Sequence, residues 1–229
     1  AIMGKGREAI ELFEKALALN PGDPEAWLHK GLALAGLDQK DQALAAYDRA
    51  LEITPHLLPA LTAKGILLIK KGDYPGALAV MDKAIALDSS DPNAWFGRGV
   101  TLKILGRYDE SLASFDRALA IDPGNARAWN NKGAILFQLE ENAGAVEAFD
   151  HSLEIDPGNA GAWFNRGLAL LELGQEEAAI GSFSRTLDLD PGNAEAWFQK
   201  GKALALLGRA REAIELFEKA LARNPANAE

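Results

Sequence analysis

A repeat length of 34 residues constrains the fold of this chain more than any other feature of its sequence. The five tryptophans all fall in one series with this period, at Trp27, Trp95, Trp129, Trp163 and Trp197, with Leu61 in the remaining place. A glycine stands four residues after each of the six positions, at Gly31, Gly65, Gly99, Gly133, Gly167 and Gly201. Self-similarity at a fixed period of this length is typical of arrays of helical repeats.

The second half of each unit carries a matching pattern of side-chain sizes. A small residue, a large one and a second small one recur, as in Ala43, Tyr47 and Ala50. The large residue of the later units is Met81, Phe115, Phe149, Phe183 or Phe217. Positions i, i+4 and i+7 share one helix face, so the sequence predicts two amphipathic helices per unit. Small residues on these faces allow the two helices to approach closely.

A helix–turn–helix unit of 34 residues with these signature positions resembles the tetratricopeptide repeat (TPR), and the resemblance covers nearly the whole chain. It implies an all-α fold, a right-handed superhelical α-solenoid of antiparallel helix pairs. We expect six full repeats in one continuous solenoid domain, at residues 24–57, 58–91, 92–125, 126–159, 160–193 and 194–227. Residues 7–23 match the second helix of a truncated repeat, and residues 1–6 are expected to be a disordered or vector-derived start.

The two ends of the sequence repeat each other. Residues 7–18 are identical to residues 211–222, six periods later, and the sequence stops just before its next tryptophan would occur. We interpret the chain as a piece of a longer array. The alternative is a short natural protein, which Arg223 favours because a terminal repeat should be polar on its outer face.

Composition argues against several classes of function. The 24 Lys and Arg against 33 Asp and Glu give a formal net charge of −9, which disfavours nucleic acid and anionic membranes as partners. The chain has no cysteine, so a cytoplasmic location is the simplest expectation. Its three histidines fall at unrelated repeat positions and form no metal-ligand spacing. We therefore expect no metal, no cofactor and no enzymatic activity.

The TPR resemblance implies a concave groove lined by first helices. Its residues should lie one position after each tryptophan place and four and seven residues beyond that. On this stripe the expected groove residues are Leu28, Leu32, Ile66, Phe96, Val100, Lys103, Asn130, Phe137, Phe164, Leu168, Phe198 and Lys202. Two explanations of its apolar character stay open: packing between adjacent first helices, or an exposed groove presenting Phe96, Phe164 and Phe198.

Polar residues beside the stripe also allow two explanations each. Asn131, Asn165 and Gln199 stand at one repeat position and resemble the asparagines by which some TPR proteins hold a peptide backbone, but they could equally be solvated helix surface. A basic residue precedes every signature glycine, and an acid follows most of the large second-helix residues. A ladder of interhelical ion pairs explains both sets, and an anion-binding stripe is the alternative.

The resemblance implies a protein–protein interaction scaffold that binds a peptide or protein segment in the concave groove. The expected partner is an amphipathic or apolar segment. The alternative function is structural self-association through the terminal helices, whose apolar faces lack a neighbouring repeat.

Overall fold

The computed structural model describes residues 2–223, with side chains from residue 6 onward. The described residues form thirteen α-helices and no strand, so the predicted all-α repeat fold is confirmed. The chain divides into two compact units, residues 1–122 and 123–229. A regular period carries no mark of such a division, because each repeat in an array contacts only its neighbours.

The first unit consists of α1–α7. Their bounds are α1 Ile2–Leu19, α2 Pro24–Gly36, α3 Lys40–Ile53, α4 Leu58–Lys71, α5 Tyr74–Leu87, α6 Pro92–Ile104 and α7 Tyr108–Ile121. Helix α1 packs against α2. Within the full repeats, the first helix packs against the second: α2 against α3, α4 against α5 and α6 against α7. Helix α1 begins at Ile2, within the expected disordered or vector-derived start at residues 1–6, and Gly6 lies against Leu37 of the α2–α3 turn.

The second unit consists of α8–α13. Their bounds are α8 Ala126–Gln138, α9 Asn142–Ile155, α10 Ala160–Glu172, α11 Glu176–Leu189, α12 Ala194–Leu206 and α13 Ala210–Arg223. The helices pair as in the first unit, α8 with α9, α10 with α11 and α12 with α13. The expected end of the last repeat, residues 224–227 with Pro225, lies outside the described residues.

The signature glycines let the two helices of each repeat approach closely. A Cβ atom added to Gly167 would lie 2.6 Å from the ring of Phe183, and one added to Gly31 would lie 2.5 Å from the ring of Tyr47. Carbon atoms do not approach this closely, so only glycine fits these positions. The large residues of the second helices pack against these glycines. Five of them are fully buried: Tyr47, Met81, Phe115, Phe149 and Phe183.

The tryptophans fasten each first helix to the turn before it. The indole nitrogen of Trp163 donates a hydrogen bond to the Pro157 carbonyl at 3.0 Å, and the other four tryptophans bond the carbonyl six residues earlier in the same way. Leu61 has no such donor. Its helix α4 also has Leu57 at the N-cap position and so lacks a side-chain cap, whereas Asp91 caps α6.

The turn inside each repeat contains one residue in the left-handed backbone region, again with the 34-residue period. Four of these residues are Gly72, Gly106, Gly174 and Gly208, and the other two are Asp38 at φ 59° and Glu140 at φ 62°. The next residue returns its N–H to the first helix, as in the bond from Gln39 to the Leu34 carbonyl at 3.0 Å. This Schellman-type closure satisfies the last carbonyls of the helix.

Candidate functional site

The first unit contains a pocket on the face formed by its first helices. Its volume is about 720 Å³, within the range of ligand sites in proteins. Helix α4 supplies most of the wall, and α2, α3, the α5–α6 turn and α6 supply the rest. Leu32 and Ile66 line the pocket and are 47% and 41% exposed, so they present apolar surface to solvent.

A small side chain accounts for the pocket at this repeat. The position after each tryptophan place carries Leu28, Thr62, Phe96, Asn130, Phe164 and Phe198 in the six repeats. In three repeats the phenylalanine contacts the phenylalanine of its own second helix, with ring centroids 5.8, 5.8 and 5.5 Å apart. Thr62 has no ring to fill this space. It lines the pocket beside Ala63, which is also small.

Hydrogen bonds fix the acidic end of the pocket, which contains Asp88 and Asp91. The Thr62 hydroxyl donates to Asp91 Oδ2 at 3.0 Å, while Asp91 Oδ1 accepts from the backbone N–H of Asn93 at 2.9 Å. Asp88 Oδ1 accepts from both the N–H and the hydroxyl of Ser90, at 2.8 and 2.6 Å. These bonds lower the pKa of Asp88.

Two further polar side chains line the pocket. Lys70 lies near the C-terminal end of α4, and its ammonium group forms no ion pair within residues 6–223. Tyr47 is 1% exposed, and its hydroxyl has no hydrogen-bond partner among the described side chains. Burial raises the pKa of Tyr47 to about 12.

The structure assembles only part of the predicted groove in the first unit. Leu32 and Ile66 line the pocket, together with Thr62 of the same stripe. Leu28 is 2% exposed and belongs to the core around Tyr47, so it is a packing residue. Phe96, Val100 and Lys103 are half-buried and lie outside the pocket wall.

In the second unit the predicted groove residues divide between core and surface. Phe164 and Leu168 pack against the buried cluster around Phe183. Phe198 contacts the Phe217 ring but keeps 46% of its surface exposed, and Lys202 is exposed. Phe137 is half-buried and contributes to a smaller cavity of about 480 Å³.

The amides beside the stripe are partly engaged by their own helices. Asn131 donates to the Arg127 carbonyl at 2.8 Å, and Gln199 donates to Glu195 at 2.7 Å. These bonds favour the solvated-surface explanation for the two residues. Asn130 and Asn165 are half-buried, and Asn130 Oδ1 accepts no hydrogen bond from the described residues.

The basic residues before the signature glycines form ion pairs with acids of the preceding repeat. Four such pairs are Lys30–Glu14 at 2.9 Å, Lys64–Asp48 at 2.5 Å, Arg98–Asp82 at 2.7 Å and Arg166–Asp150 at 2.5 Å. Each joins a second helix to the first helix of the next repeat. Ser184 replaces the acid before Lys200, which forms no salt bridge among the described residues, and burial lowers the pKa of its ammonium group.

Sequence analysis missed Tyr47, Lys70 and Asp88 as site residues. For Tyr47 and Lys70 the available signal was departure from the repeat pattern, whereas Asp88 follows the pattern, with Asp122, Asp156 and Asp190 at the same position. Tyr47 stands where four other repeats carry phenylalanine, and Thr62 stands where three do. Position 70 is occupied in the other repeats by Gly36, Ile104, Gln138, Glu172 and Leu206, so its lysine is also particular to this repeat.

The described part of the chain contains no cluster of three or more His, Cys, Asp or Glu side chains placed to hold a metal ion. Within the same part, no helix combines the length and apolar character needed to cross a membrane.

Comparison with solved structures finds similar folds. The structure of MamA has a TM-score of 0.68 and 25% sequence identity, covering 72% of this chain and 96% of MamA. YrrB, described as a TPR protein with an unusual peptide-binding site, has a TM-score of 0.68 and 24% identity, covering 82% of this chain and 96% of YrrB. PilF of Pseudomonas aeruginosa has a TM-score of 0.78 and 20% identity, covering 90% of this chain and 93% of PilF.

Comparison with curated proteins finds no significant match. The family model for the tetratricopeptide repeat matches residues 3–57, 62–126, 105–160, 156–194 and 164–228. These segments span almost the whole sequence, and the chain therefore belongs to the tetratricopeptide repeat family.

Proposed function

We propose that this protein is an interaction scaffold that binds a peptide segment of a partner protein in the pocket of the first unit. The observation that carries the proposal is a pocket of about 720 Å³ lined by exposed Leu32 and Ile66 on the first helices. A peptide anchor residue needs an apolar recess with a few polar groups at its rim, and this pocket has both. YrrB is described as having a peptide-binding site, but at 24% identity that likeness supports the fold alone.

The proposed scaffold has no chemistry of its own and acts in the cytoplasm. In the TPR family the helical repeats present a surface, and function depends on the residues of that surface. The amphipathic or apolar character expected of the partner segment is supported by Leu32 and Ile66, whose side chains are exposed in the pocket wall.

A random short-peptide library displayed on phage tests the proposal. Selection on the native chain should enrich peptides, and fluorescence anisotropy of synthetic copies gives their affinities. Ile66→Glu should weaken binding at least ten-fold, because a carboxylate would have to be buried against the anchor. The matched control is Ile104→Glu, since Ile104 is 45% exposed on α6 and lies outside the pocket wall.

Equal binding by the Ile66→Glu and native chains would place the binding surface elsewhere and contradict the proposal. Circular dichroism of both variants establishes that they are folded. Self-association through α1 and α13 stays the alternative prediction, and sedimentation of the native chain over a range of concentrations tests it separately.

A further inference from the structure

We propose that the pocket selects a peptide segment in which an apolar side chain lies between a basic residue and an acidic residue, and that the Tyr47 hydroxyl hydrogen-bonds the peptide. This inference rests on the proposed function and specifies its ligand. The apolar side chain lies between Leu32 and Ile66, the basic residue pairs with Asp88, and the acidic residue pairs with Lys70. Its support comes from the burial of Tyr47, the hydrogen bonds of the two aspartates and the position of Lys70.

The Tyr47 hydroxyl is a polar group that the fold itself does not use. Its ring packs against Gly31 as the phenylalanines of other repeats pack against their glycines, so phenylalanine would serve the same packing role. The residue is 1% exposed and its hydroxyl has no partner among residues 6–223, yet the hydroxyl oxygen is not fully enclosed by the protein, so it faces the pocket that Tyr47 lines. A tyrosine hydroxyl in this position can donate or accept one hydrogen bond to a ligand in the pocket. A backbone amide or carbonyl of a bound peptide supplies that bond.

The acidic end retains an oxygen available for a cation. Both oxygens of Asp91 accept hydrogen bonds within the protein, from Thr62 and Asn93. At Asp88 both bonds from Ser90 go to Oδ1, which leaves Oδ2 without a partner among the described residues. A lysine or arginine of the peptide would form a charge-assisted bond to this oxygen.

The basic end lies at the other end of α4. Thr62, which bonds Asp91, and Lys70 are eight residues apart in one helix. At 1.5 Å per residue this is about 12 Å along the helix axis. About four residues of extended peptide cover that distance. Leu32 and Ile66 lie between these ends, so the order of groups in the pocket is carboxylate, apolar surface and ammonium.

Sequencing of the peptides enriched on the native chain provides the first test. We expect an apolar residue with Lys or Arg on one side and Asp or Glu on the other, about four residues apart. Affinities for Tyr47→Phe, Asp88→Asn and Lys70→Met follow. Each substitution should weaken binding about five-fold, the size expected for the loss of one hydrogen bond or partly exposed ion pair.

Matched controls are Tyr108→Phe, Asp109→Asn and Lys83→Met, all outside the pocket wall. Asp88→Asn keeps an oxygen that can accept the Ser90 bonds. Tyr47→Phe restores the residue of other repeats, so its urea midpoint should equal or exceed that of the native chain. Replacing the basic residue of the peptide by serine should abolish the response to Asp88→Asn.

Enriched peptides without this order of charges, or unchanged affinity for Tyr47→Phe, would overturn the inference while leaving peptide binding intact. Failure to enrich any peptide on the native chain would instead contradict the proposed function itself.

Discussion

Tyr47 and Thr62 are single-residue departures from the repeat, and both contribute to the same pocket. Tyr47 adds one hydroxyl to a packing position, and Thr62 removes one ring from a position that three repeats fill with phenylalanine. Neither change disturbs the close contact of Gly31 and Gly65 with the large second-helix residues. At this scale, a repeat can acquire a pocket without losing the contacts that fold it.

The titration of Tyr47 tests its surroundings directly. Burial raises its pKa from 10.0 to about 12, because the phenolate is poorly solvated in the folded chain. The difference in tyrosinate absorbance between the native chain and Tyr47→Phe should therefore have its midpoint near 12. The neutral hydroxyl is the form favoured by folding, so its contribution to stability is present below pH 10 and is lost as the pH rises from 10 towards 12.

Circular dichroism over the same pH range shows whether the chain is still folded at each point. A midpoint near 10 for a folded chain would mean that the Tyr47 hydroxyl is in water and would contradict the burial of this side chain.

Glycines inside the helices of this protein differ in whether they face a neighbouring helix. Gly167 and Gly181 both lie inside helices of the second unit, α10 and α11. A Cβ on Gly167 would lie 2.6 Å from the Phe183 ring, whereas a Cβ on Gly181 would meet nothing within 4 Å. Helix propensity treats the two glycines alike, so any difference between them measures packing.

These two glycines should respond to alanine with opposite signs. Gly167→Ala should lower the free energy of unfolding by about 1–2 kcal/mol, because overpacking outweighs the gain in helix propensity. Gly181→Ala should raise it by about 0.5–1 kcal/mol, since alanine restricts the unfolded backbone and clashes with nothing. Urea unfolding of both variants measures the two changes, and a stabilised Gly167→Ala chain would show that α10 and α11 do not need this close approach.

The whole molecule is acidic, with a formal net charge of −9. Part of its surface charge is paired, as in the ladder that includes Lys64–Asp48 and Arg98–Asp82. Paired surface charges contribute little individually to stability, so their main effect is on the long-range field around the protein.

That field should distinguish polyanions from polycations. We expect no binding of a labelled duplex DNA at physiological salt, and weak, salt-sensitive binding of a labelled oligolysine, by fluorescence anisotropy. Tight binding of DNA would show that a local cationic surface overrides the net charge. The pocket variant Asp88→Asn should leave both results unchanged, because one charge in nine alters the total field little.

The sequence predicted the fold more completely than it predicted the candidate site. Helix pairs, the glycine contacts and the ion-pair ladder follow from spacings of three, four and 34 residues, which one chain displays directly. The predicted groove treated every repeat alike and therefore included both Leu28, which is buried in the core, and Phe164, which is half-buried against the Phe183 cluster. It left out Tyr47 and Asp88, because neither lies on the stripe of first-helix positions.

The sequence by itself determined the TPR family and the all-α fold, because these depend on local periodicity and on side-chain size at fixed repeat positions. Only the tertiary structure decided where a pocket opens. That depends on how side chains from α2, α3, α4 and α6 fill a common volume, and on whether a buried hydroxyl such as that of Tyr47 meets a partner. Both depend on how particular side chains pack between repeats, whereas the 34-residue period describes only what the repeats have in common.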